Sequence, residues 1–195
     1  MRTLRPYQND IVNRVRNAYL HGYKAPCVVL PCGGGKSVIV AEIAKRTTAK
    51  QNHVLFLVHR KELVDQIQNT FDFWGVDMSN TDIMMVQTAS RRIEKLQKPA
   101  LIITDENHHS KAATYRKIYD AFPNAHRLGV TATPVRLDGS GLGDVNDILV
   151  EGVSAKWLIE HHYLAPYAPN TPNTCLLYTS PSPRDISGSR MPSSA

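Results

Sequence analysis

The stretch "APCVVLPCGGGKSVIVAEIAKRTT", residues 25–48, predicts a short apolar strand, a turn of three glycines and a helix. Such a turn directs backbone N–H groups inward, and the start of the helix adds partial positive charge. Lys36 can reach the β- and γ-phosphates of a nucleotide, and the Ser37 hydroxyl can ligate Mg²⁺. The strict G-x-x-x-x-G-K-[ST] pattern needs Gly where Leu30 stands, so a flexible glycine turn without a ligand stays open at this point.

Apolar strands and helical segments alternate on both sides of this stretch. Further strands are predicted at 53–59, 82–88, 100–105 and 126–132, and further helices at 5–22, 61–75, 89–98, 112–122 and 154–167. This alternation predicts an α/β fold, in which a parallel sheet is covered by helices on both faces. In such sheets ligands bind at the carboxyl ends of the strands.

Composition limits the class of protein. The 195 residues suit one domain, and 42% hydrophobic with 21% charged residues is typical of a soluble protein that has a core. The net charge of +6 allows anionic partners and selects none of them. The start, "MRTLRPYQND", lacks the apolar segment of a signal peptide, and the three cysteines have no disulfide or zinc spacing. We therefore expect a cytoplasmic protein.

The stretch "LIITDENHHS", residues 101–110, places carboxylates and imidazoles directly after an apolar strand. Asp105 lies about 70 residues after Lys36 and would hold Mg²⁺ through its coordination shell. Glu106 would orient and deprotonate the attacking water, a role worth roughly 10²- to 10⁴-fold in rate. A transition-metal site that uses His108 and His109 is one alternative, although adjacent histidines point in different directions and zinc sites usually space their ligands. A polar loop with no chemistry is the other. Nucleotide hydrolysis is the favoured interpretation.

Five further segments, together with "LPCGGGKS", form an ordered set of motifs. They are "LRPYQ" at 4–8, "VLFLVHRKELVDQ" at 54–66, "VQT" at 86–88, "DENH" at 105–108 and "GVTATPVRLDG" at 129–139. The chain resembles, over about residues 2–167, the first RecA-like domain of superfamily-two helicases and translocases. The branch that it resembles includes the motor subunits of type III restriction enzymes. An apolar residue at position 30 is usual in that branch, whereas Asn107 stands where the DEAH box has Ala.

The resemblance implies an ATP site with Mg²⁺. It assigns adenine recognition to Gln8 with support from Arg5, catalysis to Lys36, Asp105, Glu106 and His108, and the metal to Ser37 and Asp105. The implied ATP-binding residues also include those of the glycine segment, which are Pro31, Cys32, Gly33, Gly34, Gly35, Lys36 and Ser37.

Coupling and nucleic-acid contacts are implied by the remaining motifs. Thr131, Ala132 and Thr133 correspond to the coupling motif, in which the two hydroxyls would bond the carboxylates and His108. Without the other motifs, "TATP" is simply a strand that ends at proline. The residues expected along a polynucleotide backbone are His59, Arg60, Thr88 and Arg91. A solvated basic face is the alternative for the arginines.

The implied parent protein is an ATP-driven helicase or translocase, acting on DNA rather than RNA by the resemblance alone. Its second RecA-like domain would supply arginine fingers, and nothing after residue 150 resembles that domain. We therefore expect this chain to bind nucleotide, with feeble hydrolysis and no unwinding. Two alternatives stay open. One is a nucleotide-gated clamp on nucleic acid, and the other is a motor subunit of a restriction complex whose nuclease lies in another domain or partner.

The last segment differs from the rest in composition. Residues 168–174 are interpreted as the start of a linker. In residues 175–195, "CLLYTSPSPRD" and "SRMPSSA" resemble the translated ends of a transposase-type sequencing adapter, in one frame and in the right order. Our hypothesis is that this tail is not biological and has no packed core, and that the gene continues beyond Asn173.

Overall fold

The computed structural model describes residues 3–105, 113–133 and 145–166. Except for Pro166, these residues belong to one compact unit that spans Met1–Ala165. The predicted linker and tail, 168–195, lie outside the described residues, so the domain boundary at 167 stays a prediction.

Six strands form one parallel sheet in the described part of the chain. The strands are β1 (Pro26–Val29), β2 (Val54–Val58), β3 (Thr81–Met85), β4 (Leu101–Thr104), β5 (His126–Thr131) and β6 (Ile148–Glu151). Their order across the sheet is β3-β2-β4-β5-β1-β6, and all five neighbouring pairs are parallel. The predicted α/β fold with a parallel sheet is confirmed.

Six α-helices accompany the sheet in the described residues. They are α1 (Pro6–Leu20), α2 (Lys36–Thr48), α3 (Glu62–Trp74), α4 (Val86–Arg91), α5 (Ala113–Ala121) and α6 (Ala155–Glu160). The start of α1 has Pro6 in its first turn, and α3 ends at Gly75 in the left-handed conformation, both as the sequence predicts. Among the described helices, none combines the length and the apolarity that a membrane span requires.

Strand β2 shows why helices cover both faces of the sheet. All five of its residues are buried. Val54, Phe56 and Val58 pack in the cluster that includes α1, α2 and α3, whereas Leu55 and Leu57 pack with α4 and α5. Because neighbouring residues of a strand point to opposite faces, a run that is apolar throughout needs cover on both sides. Burying each of these larger side chains contributes roughly 1.5–3 kcal/mol, so β2 anchors both layers.

Strand β6 was not predicted from the sequence. It pairs with β1 from Pro26 opposite Ile148 to Val29 opposite Glu151. The Asp147 carboxylate holds the start of the strand, since it accepts hydrogen bonds from the backbone N–H groups of Lys24 (2.6 Å) and Ala25 (3.0 Å). A four-residue edge strand has too short a pattern to be recognised, and its pairing with β1 determines its conformation.

The segment after β3 also differs from its prediction. A strand was expected to continue to residue 88 and a helix to follow over 89–98, but β3 ends at Met85 and α4 spans Val86–Arg91. Val86 and Ala89, three residues apart, bury one side of this helix. Thr88 therefore lies in a helix, and Arg91 ends a helix instead of beginning one. A short apolar run does not mark the point at which a strand turns into a helix.

The last helix is shorter than its predicted range of 154–167. It begins after Ser154, whose side chain accepts a hydrogen bond from the Trp157 N–H at 3.1 Å. It ends at Glu160, and His162 adopts a φ of 59°, which no helix continues through.

Candidate nucleotide-binding site

The glycine turn, residues 31–35, connects the carboxyl end of β1 to the start of α2. Gly33 and Gly35 have φ values of 77° and 87°, in the left-handed region that favours glycine. In the part of the chain that the structure describes, the backbone N–H groups of Gly35, Lys36 and Ser37 have no protein acceptor. These donors, together with the start of a 13-residue helix, are suited to an anion such as a phosphate group.

Side chains from other parts of the chain surround the glycines. A Cβ added at Gly33 would lie 2.6 Å from Leu164 Cδ2, and one at Gly34 would lie 2.7 Å from Leu30 Cγ. A Cβ at Gly35 would collide with Gln8 Nε2. Backbone conformation therefore favours glycine at positions 33 and 35, whereas at position 34 a Cβ would meet the branch point of the Leu30 side chain.

Lys36 is the first residue of α2 and is partly buried. Its Nζ donates a hydrogen bond to the Leu30 carbonyl at 3.2 Å, so the side chain folds back across the glycine turn. A phosphate oxygen is a stronger acceptor for an ammonium group than a neutral carbonyl. The ammonium therefore lies over the turn, within a small movement of any phosphate that the turn binds.

Asp105 lies directly after β4, and its N–H donates to the Leu57 carbonyl at 3.3 Å. Only β5 separates β4 from β1, so the two strands are about 10 Å apart. Because the strands are parallel, Asp105 and the glycine turn follow strands that end at the same edge of the sheet. The structure brings Asp105 to the edge that holds Lys36 and Ser37, while Glu106 and His108 lie outside the described residues.

The negative charge of Asp105 affects Tyr115, a residue of α5. Burial raises the pKa of the Tyr115 hydroxyl, and the neighbouring Tyr119 and the Asp105 carboxylate raise this pKa further. A nearby negative charge disfavours the phenolate, so Tyr115 stays protonated beside the carboxylate.

The predicted coupling residues occupy the end of β5, between β4 and β1. The Thr131 hydroxyl donates to the Thr133 carbonyl at 3.0 Å and accepts from the Thr133 N–H at 3.2 Å. This local turn places Thr131, Ala132 and Thr133 at the same edge as the glycine turn. Their predicted bond to His108 falls on residues outside the described part.

Arg5 and Gln8 lie at the start of α1, next to the glycine turn. The Gln8 side-chain oxygen accepts from the Arg5 N–H at 3.0 Å, and Gln8 Nε2 donates to the Tyr7 hydroxyl at 3.4 Å. A side-chain amide has two acceptor and two donor positions, so Gln8 keeps one of each for a further partner. An adenine edge offers the matching pair, one donor and one acceptor.

Four residues beside this site were missed by the sequence analysis. Tyr7 donates from its hydroxyl to the Gly34 carbonyl at 2.8 Å, and its ring contacts the rings of Trp157 and Tyr163 at centroid distances of 5.8 and 5.2 Å. Leu164 contacts Gly33. The aromatic spacing in "KWLIEHHYL" is the available signal, and by itself it predicts only a helix.

The comparisons with known proteins agree with this geometry. The sequence profile of the family described as "Type III restriction enzyme, res subunit" matches residues 2–136. The chain belongs to this family. It is an N-terminal RecA-like domain of the superfamily-two type, in the type III restriction branch, as the sequence motifs predicted.

Two relatives show how much of a longer protein is present. A "51.5 kDa protein" of a Lactococcus phage is 52% identical over 137 residues, covering 70% of this chain and 30% of that protein. The "Putative ATP-dependent helicase IRC3" of Saccharomyces cerevisiae is 32% identical over an alignment of 195 residues, covering 80% of this chain and 28% of that protein. The chain therefore spans less than a third of these relatives.

A solved structure shows the same fold. The helicase domain of Pyrococcus furiosus Hef superposes with a TM-score of 0.61 at 20% sequence identity, covering 76% of this chain and 38% of that one. The predicted RecA-like architecture is thus confirmed.

The nucleic-acid candidates of this res-subunit-family domain lie farther along the same edge. His59 and Arg60 follow β2, while Thr88 and Arg91 lie on α4, which follows β3. Arg60 and Arg91 are exposed, and His59 and Thr88 are partly buried. Strands β2 and β3 are on the opposite side of β4 from β1, so these residues form a region separate from the glycine turn.

Proposed function

We propose that this domain binds and hydrolyses ATP as the first half of a nucleic-acid helicase or translocase motor. The observation that carries the proposal is the shared sheet edge. The glycine turn follows β1, Asp105 follows β4, and Thr131 ends β5 between them, which fits a triphosphate on the turn with its metal facing the carboxylate. Membership of the res-subunit family and similarity to a putative ATP-dependent helicase support the same activity.

The donor set fits Mg²⁺. The Ser37 hydroxyl and the Asp105 carboxylate supply the oxygen ligands that this ion prefers, and no soft ligand accompanies them in the proposed set. When bound, the ion would neutralise negative charge on the phosphate oxygens. Lys36 would exchange the Leu30 carbonyl for a phosphate oxygen, and the free N–H groups of the turn would bind the other oxygens.

Glu106 is proposed as the residue that orients and deprotonates water, because it follows Asp105 directly. His108, Thr131 and Thr133 would link the state of the nucleotide to the polynucleotide. The position of the Thr131–Thr133 turn supports this role. The turn is closed by two hydrogen bonds between Thr131 and Thr133, and it lies at the end of β5, between the strand that precedes the glycine turn (β1) and the strand that precedes Asp105 (β4).

Nucleic acid is proposed to bind along the ends of β2 and β3. Arg60 and Arg91 would contact phosphates, with Thr88 and His59 beside them. Such contacts provide affinity that depends on salt and carry little sequence preference. DNA is the proposed substrate because the family description names a restriction enzyme.

The family description also supports a second, more specific role, that of the motor subunit in a restriction complex. Translocation would then serve a nuclease located in another domain or subunit. A second RecA-like domain in the parent protein is proposed to complete the ATP site.

The test is equilibrium binding of a fluorescent ATP analogue to the purified chain in the presence of Mg²⁺. We expect Lys36→Ala to weaken binding by at least about tenfold, since it removes a charged partner of the phosphates. Lys50→Ala is the matched control, because Lys50 is exposed beyond the end of α2, away from the glycine turn. If the unsubstituted chain binds no nucleotide, or if the two variants weaken binding equally, the proposed function is wrong.

A further inference from the structure

We propose that Tyr7 is a positioning residue that holds the glycine turn in the conformation that accepts phosphate. The proposal rests on the proposed ATP site and adds a residue to it. Tyr7 lies between the predicted adenine-recognition residues, Arg5 and Gln8, and the turn that would bind the phosphates.

The hydroxyl of Tyr7 is the centre of a directed set of hydrogen bonds. It donates to the Gly34 carbonyl at 2.8 Å, in a contact between buried groups 27 residues apart in sequence. It accepts from Gln8 Nε2 at 3.4 Å and, over a longer contact, from Arg5 Nη1 at 3.5 Å. A phenol has one proton to donate and lone pairs to accept with, so both capacities are in use.

The direction of the Gly34 carbonyl determines the direction of the Gly35 N–H. Gly34 C=O and Gly35 N–H belong to the same planar trans peptide and point in opposite directions. Glycines have little intrinsic preference between backbone conformations, so this peptide needs an external restraint. By bonding the carbonyl on one side, Tyr7 directs the Gly35 N–H to the other side, where that N–H has no acceptor among the described residues.

The ring of Tyr7 is itself held firmly. Only 6% of the residue is exposed, and its ring packs against Trp157 edge-on and against Tyr163 at a tilt. The Arg5 guanidinium lies 4.8 Å from the centre of the Tyr163 ring, on the same side of the site. Tyr7 therefore has a fixed position from which its hydroxyl restrains a turn that is otherwise pliable.

The experiment uses Tyr7→Phe, which keeps the ring and removes only the hydroxyl. The ligands are Mg²⁺-ATP, Mg²⁺-GTP and inorganic tripolyphosphate, which has no base. We expect about a fivefold loss of affinity for all three, with an unchanged ratio between ATP and GTP, because the defect lies in the phosphate turn. In contrast, Gln8→Ala should reduce the preference for ATP over GTP. Tyr163→Phe, whose hydroxyl is outside this hydrogen-bond set, should leave all three affinities within about twofold.

The outcomes separate this inference from the proposed function. If the unsubstituted chain binds ATP and tripolyphosphate, and Tyr7→Phe binds tripolyphosphate equally well, the inference about Tyr7 is overturned alone. If the unsubstituted chain binds neither ligand, the proposed function fails and the inference fails with it.

A second measurement applies if Tyr7→Phe does not fold. Trp157 contacts the Tyr7 ring, and Trp74 on α3 is the other tryptophan of the chain. In a Trp74→Phe chain, we expect tripolyphosphate to change the fluorescence of Trp157, since the turn that binds it is bonded through the Gly34 carbonyl to Tyr7, whose ring contacts Trp157. Binding of tripolyphosphate without any change in this fluorescence would overturn the inferred link between Tyr7 and the glycine turn.

Discussion

The backbone N–H of Leu30 donates to the carbonyl of Thr131 at 3.0 Å. This bond ties the residue before the glycine turn to the last residue of β5, and both residues are fully buried. Breaking a buried hydrogen bond and leaving its groups unpaired costs about 1–3 kcal/mol. This buried bond therefore joins the glycine turn to the Thr131–Thr133 turn, which suits two loops that are proposed to respond to the same phosphate.

Gly35→Ala should abolish most nucleotide binding, whereas Gly22→Ala should not. The two glycines have similar φ values, 87° and 90°, so alanine brings a similar backbone cost of about 1–2 kcal/mol at each position. At Gly22 a Cβ meets nothing within 4 Å, but at Gly35 it collides with Gln8. Chemical denaturation should show a similar decrease in the free energy of unfolding for both variants. Titration with an ATP analogue should show at least a tenfold (~1.4 kcal/mol) additional loss of affinity for Gly35→Ala. Equal nucleotide affinities of the two variants would refute the packing argument.

Phe56→Ala should lower the free energy of unfolding by about 3–5 kcal/mol. Phe56 is 1% exposed and packs edge-on against Phe71 at a centroid distance of 5.6 Å. The control is Phe73→Ala, at a position that is 57% exposed, with an expected loss below about 1 kcal/mol. Urea denaturation of the three proteins measures the difference. A small loss for Phe56→Ala would mean that β2 does not anchor the layer of α1, α2 and α3.

Arg60→Ala and Arg91→Ala should each reduce the salt dependence of nucleic-acid binding. If each arginine contacts one phosphate, each substitution should lower the magnitude of the slope of log affinity against log salt by about 0.7 on single-stranded DNA. Fluorescence anisotropy with labelled single-stranded DNA over a range of salt concentrations gives the slope, and an RNA strand of the same sequence tests the proposed preference. Lys50→Ala removes one positive charge elsewhere and should leave the slope unchanged. An unchanged slope in both arginine variants would assign these residues to a solvated basic face.

The sequence predicted the central elements because their signals are local. Apolar runs mark the buried strands, Gly75 marks the end of α3, and "GGGKS" marks the turn that precedes α2. Placement of Asp105 on the same edge as Lys36 followed from parallel pairing alone. The resemblance to superfamily-two helicases added the adenine-side residues, and the structure does place Arg5 and Gln8 beside the glycine turn.

The elements that escaped prediction are determined by distant contacts. Strand β6 exists because Ile148–Glu151 pairs with β1, and its own four residues include Leu149 at 40% exposure. The contact between Leu164 and Gly33 joins residues that are 131 positions apart in sequence. The bond from Tyr7 to Gly34 likewise depends on how α1 packs on the turn. No local pattern contains this information.

A double-mutant cycle decides whether the glycine turn and Asp105 act on one metal-bound triphosphate. Mg²⁺-ATP affinity is measured for the unsubstituted chain, Lys36→Ala, Asp105→Asn and the double variant, with Lys50→Ala as a control that should couple to neither. We predict that each single substitution weakens binding and that the double variant loses less than the two losses combined. A coupling of at least about 1 kcal/mol is expected for groups that share one ligand. Fully additive losses, or an Asp105→Asn variant with unchanged affinity, would contradict the account.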